Sequence, residues 1–316
     1  MSKHDPSAND WPSIPFAEWQ TTAAALHRYL QIVGKYRLAR TPWVNHSWHA
    51  TFYSTPRGLT TSLIPDGDGG IEVVFDFVDH IVHGHCGNGT NISFPLESMS
   101  VADFHSQFAQ MITDLGGNAA IHGSPNELPD PVPFAEDTES RPYDSDAVNR
   151  FHRALVTINH VFQDFRTGFR GKVSPVHLFW GSFDLAVTRF SGRPAPMHPG
   201  GIPNLPDDVT QEAYSHEVSS AGFWAGGGPV DDAAFYSFAY PGPGGFPDAD
   251  VEPEAAYFDK DFGEFILPYE AVRTSANPDA TLMAFLESTY EAAASLGDWD
   301  RSQECPRGQK GKPLPI

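Results

Sequence analysis

The sequence has little cysteine, since its 316 residues include only Cys86 and Cys305. Two cysteines exclude a disulfide framework and a zinc site built from paired cysteines. Positive charge is scarce as well, with 20 lysines and arginines against 40 acidic residues. A field of that sign repels phosphate backbones and anionic lipid, so we expect neither nucleic acid nor a membrane as a partner.

Long apolar segments and familiar catalytic motifs are also missing. No run of about 18 apolar residues occurs, and the first ten residues carry no apolar stretch, so we predict neither a membrane span nor a signal peptide. The patterns GxGxxG, GxxxxGK[ST], HExxH and GxSxG are absent, which disfavours simple nucleotide, zinc-protease and triad enzymes. We therefore expect a cytoplasmic protein whose partner is a small-molecule ligand or substrate.

What is present is ample material for a core, with 40% hydrophobic and 13% aromatic residues. The order helix, several strands, helix occurs twice along the chain and predicts an α+β fold of two related halves, each helix, antiparallel strands and helix, with a cleft between them. The predicted units are a flexible arm (1–10), an N-terminal half (11–123), a linker (124–144), a C-terminal half (145–300) and a disordered tail (301–316).

Local signals mark several element boundaries. Apolar residues at helical spacing predict a helix from Phe16 to Val33, with Gly34 as its stop. Ser100, followed three residues later by Asp103, predicts the capped start of a second helix. Residues 44–55 are predicted to be extended.

An internal duplication would explain why both opening helices run into Gly-Lys and then into a strand. In that alignment His46 is equivalent to His177, and Trp48 is equivalent to Phe179. The alternative is that two unrelated halves share a strand pattern.

The aligned histidines give the site hypothesis. Each would begin an otherwise apolar strand face, so packing of the halves about a pseudo-twofold axis would bring the two imidazoles together. His216 lies in a third candidate region, 192–229, whose long loop and glycine run suit a pocket wall. The predicted catalytic residues are His46, His177, His216, Glu217 and Glu264.

Two versions of this chemistry stay open. In one, His46, His177 and His216 bind a divalent metal, Zn or Fe, with a carboxylate beside them. In the other, a histidine acts as a metal-free acid–base catalyst. The predicted pocket residues are Trp48, Phe179, Trp180, Arg189, Phe223 and Trp224.

Non-catalytic interpretations are kept alongside the enzyme. The histidines could be structural groups bonded to backbone, in which case the protein is a small-ligand binding module. A scaffold acting through its acidic surface is a third interpretation. Asp184 is interpreted as one partner of a surface ion pair.

Several long motifs resemble one bacterial family that is catalogued only as a domain of unknown function. They include VNHSWHATFY, SPVHLFWGSFDLAVTRFSGR, AYSHEVSSAGFW and GEFILPYEAVR, and the likeness extends over nearly all of residues 11–300. The resemblance implies an intact bacterial protein that stands alone as one chain. It implies no reaction, cofactor or site residue.

Overall fold

A computed structural model describes residues 11–304 apart from 130, 203 and 229. It is an α+β fold, and its described part contains two antiparallel sheets and six α-helices. The predicted arm, 1–10, lies outside the described residues, as does 305–316 of the predicted tail. Arg301–Gln303 of that tail form a 3-10 turn.

Helices and strands occur in groups along the chain. The helices are α1 (Phe16–Arg40), α2 (Val101–Asp114), α3 (Ser145–Arg166), α4 (Asp207–Ala213), α5 (Tyr269–Arg273) and α6 (Pro278–Leu296). The strands are β1 (Tyr53–Thr55), β2 (Gly58–Thr60), β3 (Ile71–Asp76), β4 (Ile81–Cys86), β5 (Asn91–Pro95), β6 (His177–Phe179), β7 (Asp184–Pro194), β8 (His216–Trp224), β9 (Ala234–Tyr240), β10 (Tyr257–Asp259) and β11 (Glu264–Pro268).

The N-terminal sheet is a meander in the order β1-β2-β3-β4-β5. Ile71, Val73 and Phe75 alternate along β3 and are fully buried, as expected for a sheet with one face in the core. Helix α2 contributes Phe104, which stacks on Phe75. The predicted cap of α2 is confirmed, since the Asp103 backbone N–H donates to Ser100 Oγ at 3.0 Å.

Helix α1 is longer than its sequence pattern predicts. Gly34 does not stop the helix, which continues to Arg40. A glycine is required at this position for another reason, since the absence of a side chain makes room for an aromatic ring. A Cβ atom on Gly34 would overlap Cδ1 of Trp180, since the two carbons would lie closer than van der Waals contact allows. Trp180 is fixed from its other side, where its indole N–H donates to the Ala50 carbonyl at 2.8 Å.

The C-terminal sheet has the order β10-β11-β9-β8-β7-β6 and two different faces. On β7 and β8 the odd-numbered apolar residues Leu185, Val187 and Phe223 are buried in the main core. That core includes apolar residues of α3 and α6, so the helices cover this face. The even-numbered residues project to the opposite face, as the two-residue period of a strand requires.

The two sheets meet at their first strands. Phe52 and Leu178 exchange backbone hydrogen bonds of 2.9 and 2.8 Å, which join the edge of β1 to the edge of β6. One hydrophobic cluster extends through both parts of the chain, from Trp11 to Trp299. The predicted linker packs against this body, since Phe134 is 1% exposed. Internal duplication stays a prediction.

The Gly34–Trp180 contact can be tested by adding one methyl group. In an open helix Gly→Ala is stabilising, but at this position the added methyl group would displace the Trp180 ring. We expect Gly34→Ala to lower the free energy of unfolding by about 1–3 kcal/mol, measured by urea denaturation. Gly123→Ala is the control, because no atom lies within 4 Å of the added Cβ. Equal stability of the two variants would contradict the close contact.

Candidate functional site

A cavity of about 570 Å³ lies on the even-numbered face of the C-terminal sheet. Its floor is formed by β7, β8, β9 and β11, and its walls by α1, residues 43–50, residues 122–127 and the segment that includes α4. Trp43 and Ile202 are 54% and 38% exposed and line it, so the cavity opens to solvent beside them. Its size is in the usual range for a small-molecule site.

The cavity walls are largely aromatic. Four of the predicted pocket residues line it, namely Trp48, Phe179, Trp180 and Trp224. Phe190, Tyr214, Tyr236 and Phe238 line it as well.

Two predicted pocket residues, Arg189 and Phe223, lie on the opposite face of the sheet. The Arg189 guanidinium is 3.6 Å from the ring centroid of Phe165 and donates to the Phe165 carbonyl. Phe223 packs against Phe235 and Tyr269 in the main core. Strand alternation is the reason, because neighbouring residues such as Phe223 and Trp224 point in opposite directions.

His46 lines the cavity, but it does not lie on a strand. Residues Asn45–Ser47 form a 3-10 turn, and His46 has a left-handed φ of 61°. The prediction that residues 44–55 are extended is therefore wrong for residues 45–50. Burial, together with the nearby positive charge of Lys172, lowers the pKa of His46 to about 4. Its imidazole is therefore neutral at physiological pH.

His177 begins β6 as predicted, but it lies behind the cavity wall. Its side chain is 1% exposed, and its Nδ1 is 3.2 Å from Thr51 Oγ1. Burial lowers the pKa of His177 to about 3. Trp48 contacts both histidines, with ring centroids 5.7 Å from His46 and 6.2 Å from His177.

The third histidine and its neighbour lie apart from the cavity lining. His216 Nδ1 is 3.1 Å from Ser215 Oγ. Glu217 accepts a hydrogen bond from Ser191 Oγ at 2.7 Å and pairs with Arg193 at 2.8 Å. Glu217 is therefore already neutralised by a cation of the protein.

Within the part of the chain that the structure describes, no group of three His, Cys, Asp or Glu side chains is placed to hold a metal ion. The predicted three-histidine metal site is not assembled. The physical reason is that His46 leaves the strand path in a left-handed turn, while His177 is enclosed by aromatic rings.

Carboxyl groups are the polar feature of the cavity instead. Asp184, at the start of β7, is 4% exposed and is not part of a surface ion pair. It accepts hydrogen bonds from Ser182 Oγ at 2.5 Å and from the Tyr236 hydroxyl. Burial raises the pKa of Asp184, while these two hydrogen bonds act in the opposite direction.

Glu264, the one predicted carboxylate that lines the cavity, has an unsatisfied oxygen. Its Oε2 is buried, and none of the described residues supplies a hydrogen bond to it. Burial, together with the charges of Asp184 and Asp259, raises the pKa of Glu264 to about 8. A buried oxygen of this kind is costly unless a ligand satisfies it.

Glu127 is a third carboxyl of the lining, and it comes from the predicted linker. It has a left-handed φ of 56° and is held there through its neighbour Asn126. The Gln31 side chain accepts from the Asn126 N–H at 2.7 Å and donates to its carbonyl at 2.8 Å. Burial and the charge of Asp184 raise the pKa of Glu127 to about 7.

Lys35 is the basic group of this part of the cavity. Its side chain is 4% exposed and donates a hydrogen bond to the amide oxygen of Asn126. Its Nζ lies 5.4 Å from the ring centroid of Trp180. Burial lowers the pKa of Lys35, the nearby charge of Glu127 partly offsets this effect, and the resulting pKa is about 8.

Sequence reasoning missed Lys35, Glu127 and Tyr236 and assigned Asp184 to the surface. Asp184 and Tyr236 carried a usable signal, because each alternates with apolar residues on its strand. Lys35 and Glu127 had none, since their meeting depends on contacts between residues about 90 positions apart.

The fold and site define a class: an α+β protein with two antiparallel sheets and an acidic, aromatic-walled cavity. Comparison with known families matches residues 11–305 to a family of unknown function, DUF5996. The chain belongs to that family, and the match confirms the resemblance in its long motifs. Comparisons with curated proteins and with solved structures find no match. Among the described residues, no helix is long and apolar enough to cross a membrane.

The buried carboxyl of Glu264 should leave a signature in stability. Its pKa is about 8 in the folded chain against 4.5 ordinarily. Between these values the unfolded chain releases a proton that the folded chain keeps, so stability falls as pH rises from about 4.5 to about 8. Glu264→Gln cannot ionise and so avoids this fall in stability. We expect the Tm of the variant to exceed the wild-type value by about 2 °C or more at pH 8.

The same comparison at about pH 3 should show little difference, since Glu264 is then protonated in both the folded and the unfolded chain. Glu270→Gln is the control. Glu270 is exposed and pairs with Arg273 at 2.7 Å, which lowers its pKa, so this variant should gain nothing at pH 8. A pH-independent effect of Glu264→Gln would contradict the assignment.

Proposed function

We propose that the protein binds a small organic cation, such as an amine or a quaternary ammonium compound, in the cavity. The observation that carries the proposal is the convergence of Asp184, Glu264 and Glu127 on one aromatic-walled space. Glu264 Oε2 is the sharpest sign, because among the described residues it has no hydrogen-bond donor.

Charge supports a cationic ligand. The charge of Asp184 raises the pKa of both Glu127 and Glu264. A bound cation would favour their ionised forms and would satisfy the free oxygen of Glu264. An anionic ligand would add to the repulsion already present.

The aromatic walls support the same ligand class. Trp224 stacks on Tyr236 with ring centroids 4.3 Å apart, and Tyr236 donates to Asp184. Aromatic faces attract cations, and cages of such rings recognise quaternary ammonium groups. The ligand is therefore expected to combine an aromatic or aliphatic body with a positive group.

Acid–base catalysis in the same cavity is a second candidate function. Glu127 and Lys35 favour it, because their pKa values of about 7 and 8 suit proton transfer near neutral pH. The two functions predicted from the sequence, a small-molecule enzyme and a non-catalytic binding module, therefore both remain possible uses of this one cavity. The proposal also keeps a cytoplasmic location, which suits the buried free thiol of Cys86.

Titration calorimetry with benzyltrimethylammonium, whose charge does not depend on pH, tests the proposal. We expect binding that tightens by about tenfold or more between about pH 6 and about pH 9, because Glu264 must lose its proton to pair with the cation. Benzoate should not bind.

Glu264→Gln should weaken binding at about pH 9 by about tenfold or more, since the amide mimics the protonated acid. The pH dependence that remains should be only the part contributed by Glu127 and Lys35. Glu217→Gln is the matched control, because Glu217 is paired with Arg193 outside the cavity lining. Equal binding of benzyltrimethylammonium and benzoate, or a larger loss in Glu217→Gln than in Glu264→Gln, would rule the proposal out.

A further inference from the structure

Lys35 has the surroundings of a reactive amine rather than of a structural cation. It projects from α1 into the cavity, and its hydrogen-bond acceptor is the neutral amide oxygen of Asn126, not a carboxylate. A lysine that served only to neutralise a buried acid would pair with one directly.

We infer that Lys35 forms an imine with a small aldehyde or ketone that carries a cationic group. This inference rests on the proposed function, because the carbonyl compound must enter the cavity that binds the organic cation. Asp184 and Glu264 would hold the positive group, and Lys35 would meet the carbonyl carbon.

The cavity has an order of groups that suits such a compound. Lys35 Nζ lies against Trp180, which follows β6, whereas Asp184 begins β7 and Glu264 begins β11. In the sheet, β8 and β9 separate β7 from β11. The amine is therefore at one side of the cavity floor and the unsatisfied carboxyl at the other. One ligand with two functional groups can reach both.

The reaction is a condensation that needs no oxidant or reductant. The neutral Nζ attacks the carbonyl carbon and forms a C–N bond. The C–O bond then breaks, and the oxygen leaves as water with both protons of the amine nitrogen. Glu127, near its own pKa, takes a proton from the nitrogen and returns it to the departing hydroxyl.

Burial supplies the neutral amine. At pH 7 a lysine with a pKa of about 8 has about a tenth of its molecules unprotonated, far more than an exposed lysine. Lysines desolvated in this way form Schiff bases with carbonyl substrates in other enzymes. Trp180 excludes water from one side of Nζ.

Reductive trapping on the full chain tests the inference. The protein is incubated at about pH 7 with para-(dimethylaminomethyl)benzaldehyde and cyanoborohydride, and labelled peptides are quantified by mass spectrometry. We expect labelling of Lys35 to exceed that of Lys260 by about tenfold or more, because Lys260 is exposed and outside the cavity.

Variants separate chemistry from structure. Lys35→Arg keeps the charge and should lose the label at that position, while its binding of benzyltrimethylammonium shows that the cavity is intact. Glu127→Gln should slow labelling of Lys35 by about a hundredfold and leave Lys260 unchanged. Labelling spread evenly over the six lysines of the chain would overturn the inference.

The two proposals fail differently. Benzyltrimethylammonium in excess should suppress the label on Lys35 and leave Lys260 unchanged. If the ammonium compound binds but Lys35 stays unlabelled, the imine is wrong and the cation site stands. If Lys35 is labelled but the ammonium compound neither binds nor competes, the cation site is wrong and the imine stands.

Discussion

The two-residue alternation of β7 and β8 is the constraint on which the site depends. Leu185, Val187 and Phe223 face the helices and complete the main core. The intervening residues face the other way and form the cavity floor. Gly222 belongs to this second face, where a Cβ would overlap the Tyr236 ring. Its missing side chain lets Tyr236 lie across the sheet and reach Asp184.

Local patterns predicted much of the fold. The capped start of α2 follows from Ser100 and Asp103, and α1 as far as Val33 follows from the helical spacing of its apolar residues. Gly34 misled the prediction, since a glycine inside a helix and a glycine after one look alike until Trp180 is placed against it. The left-handed turn at His46 likewise has no local signal.

The site was less predictable than the fold because it is assembled by distant contacts. Strict use of strand parity would have separated Phe223 from Trp224 and drawn attention to Asp184. Strand alternation says nothing about Glu127, whose position is set by two hydrogen bonds between the Gln31 side chain and the backbone of Asn126. The histidines were predicted to be catalytic because histidine commonly acts as an acid, a base or a metal ligand. Burial instead keeps His46 and His177 neutral, which suits packing among aromatic rings.

The position of Asn126 decides what kind of group Lys35 is. If Glu127 accepted the hydrogen bond of Nζ directly, the ion pair would hold the pKa of Lys35 near or above its ordinary value. The chain instead presents the amide of residue 126 to Nζ, and the carboxyl of residue 127 remains a neighbour that acts through its charge. Desolvation then outweighs attraction, and the amine and the acid both titrate near neutral pH. Because Asn126 takes the hydrogen bond of Lys35, the Lys35 amine and the Glu127 carboxyl do not form a direct ion pair. Both groups therefore stay available to a ligand in the cavity.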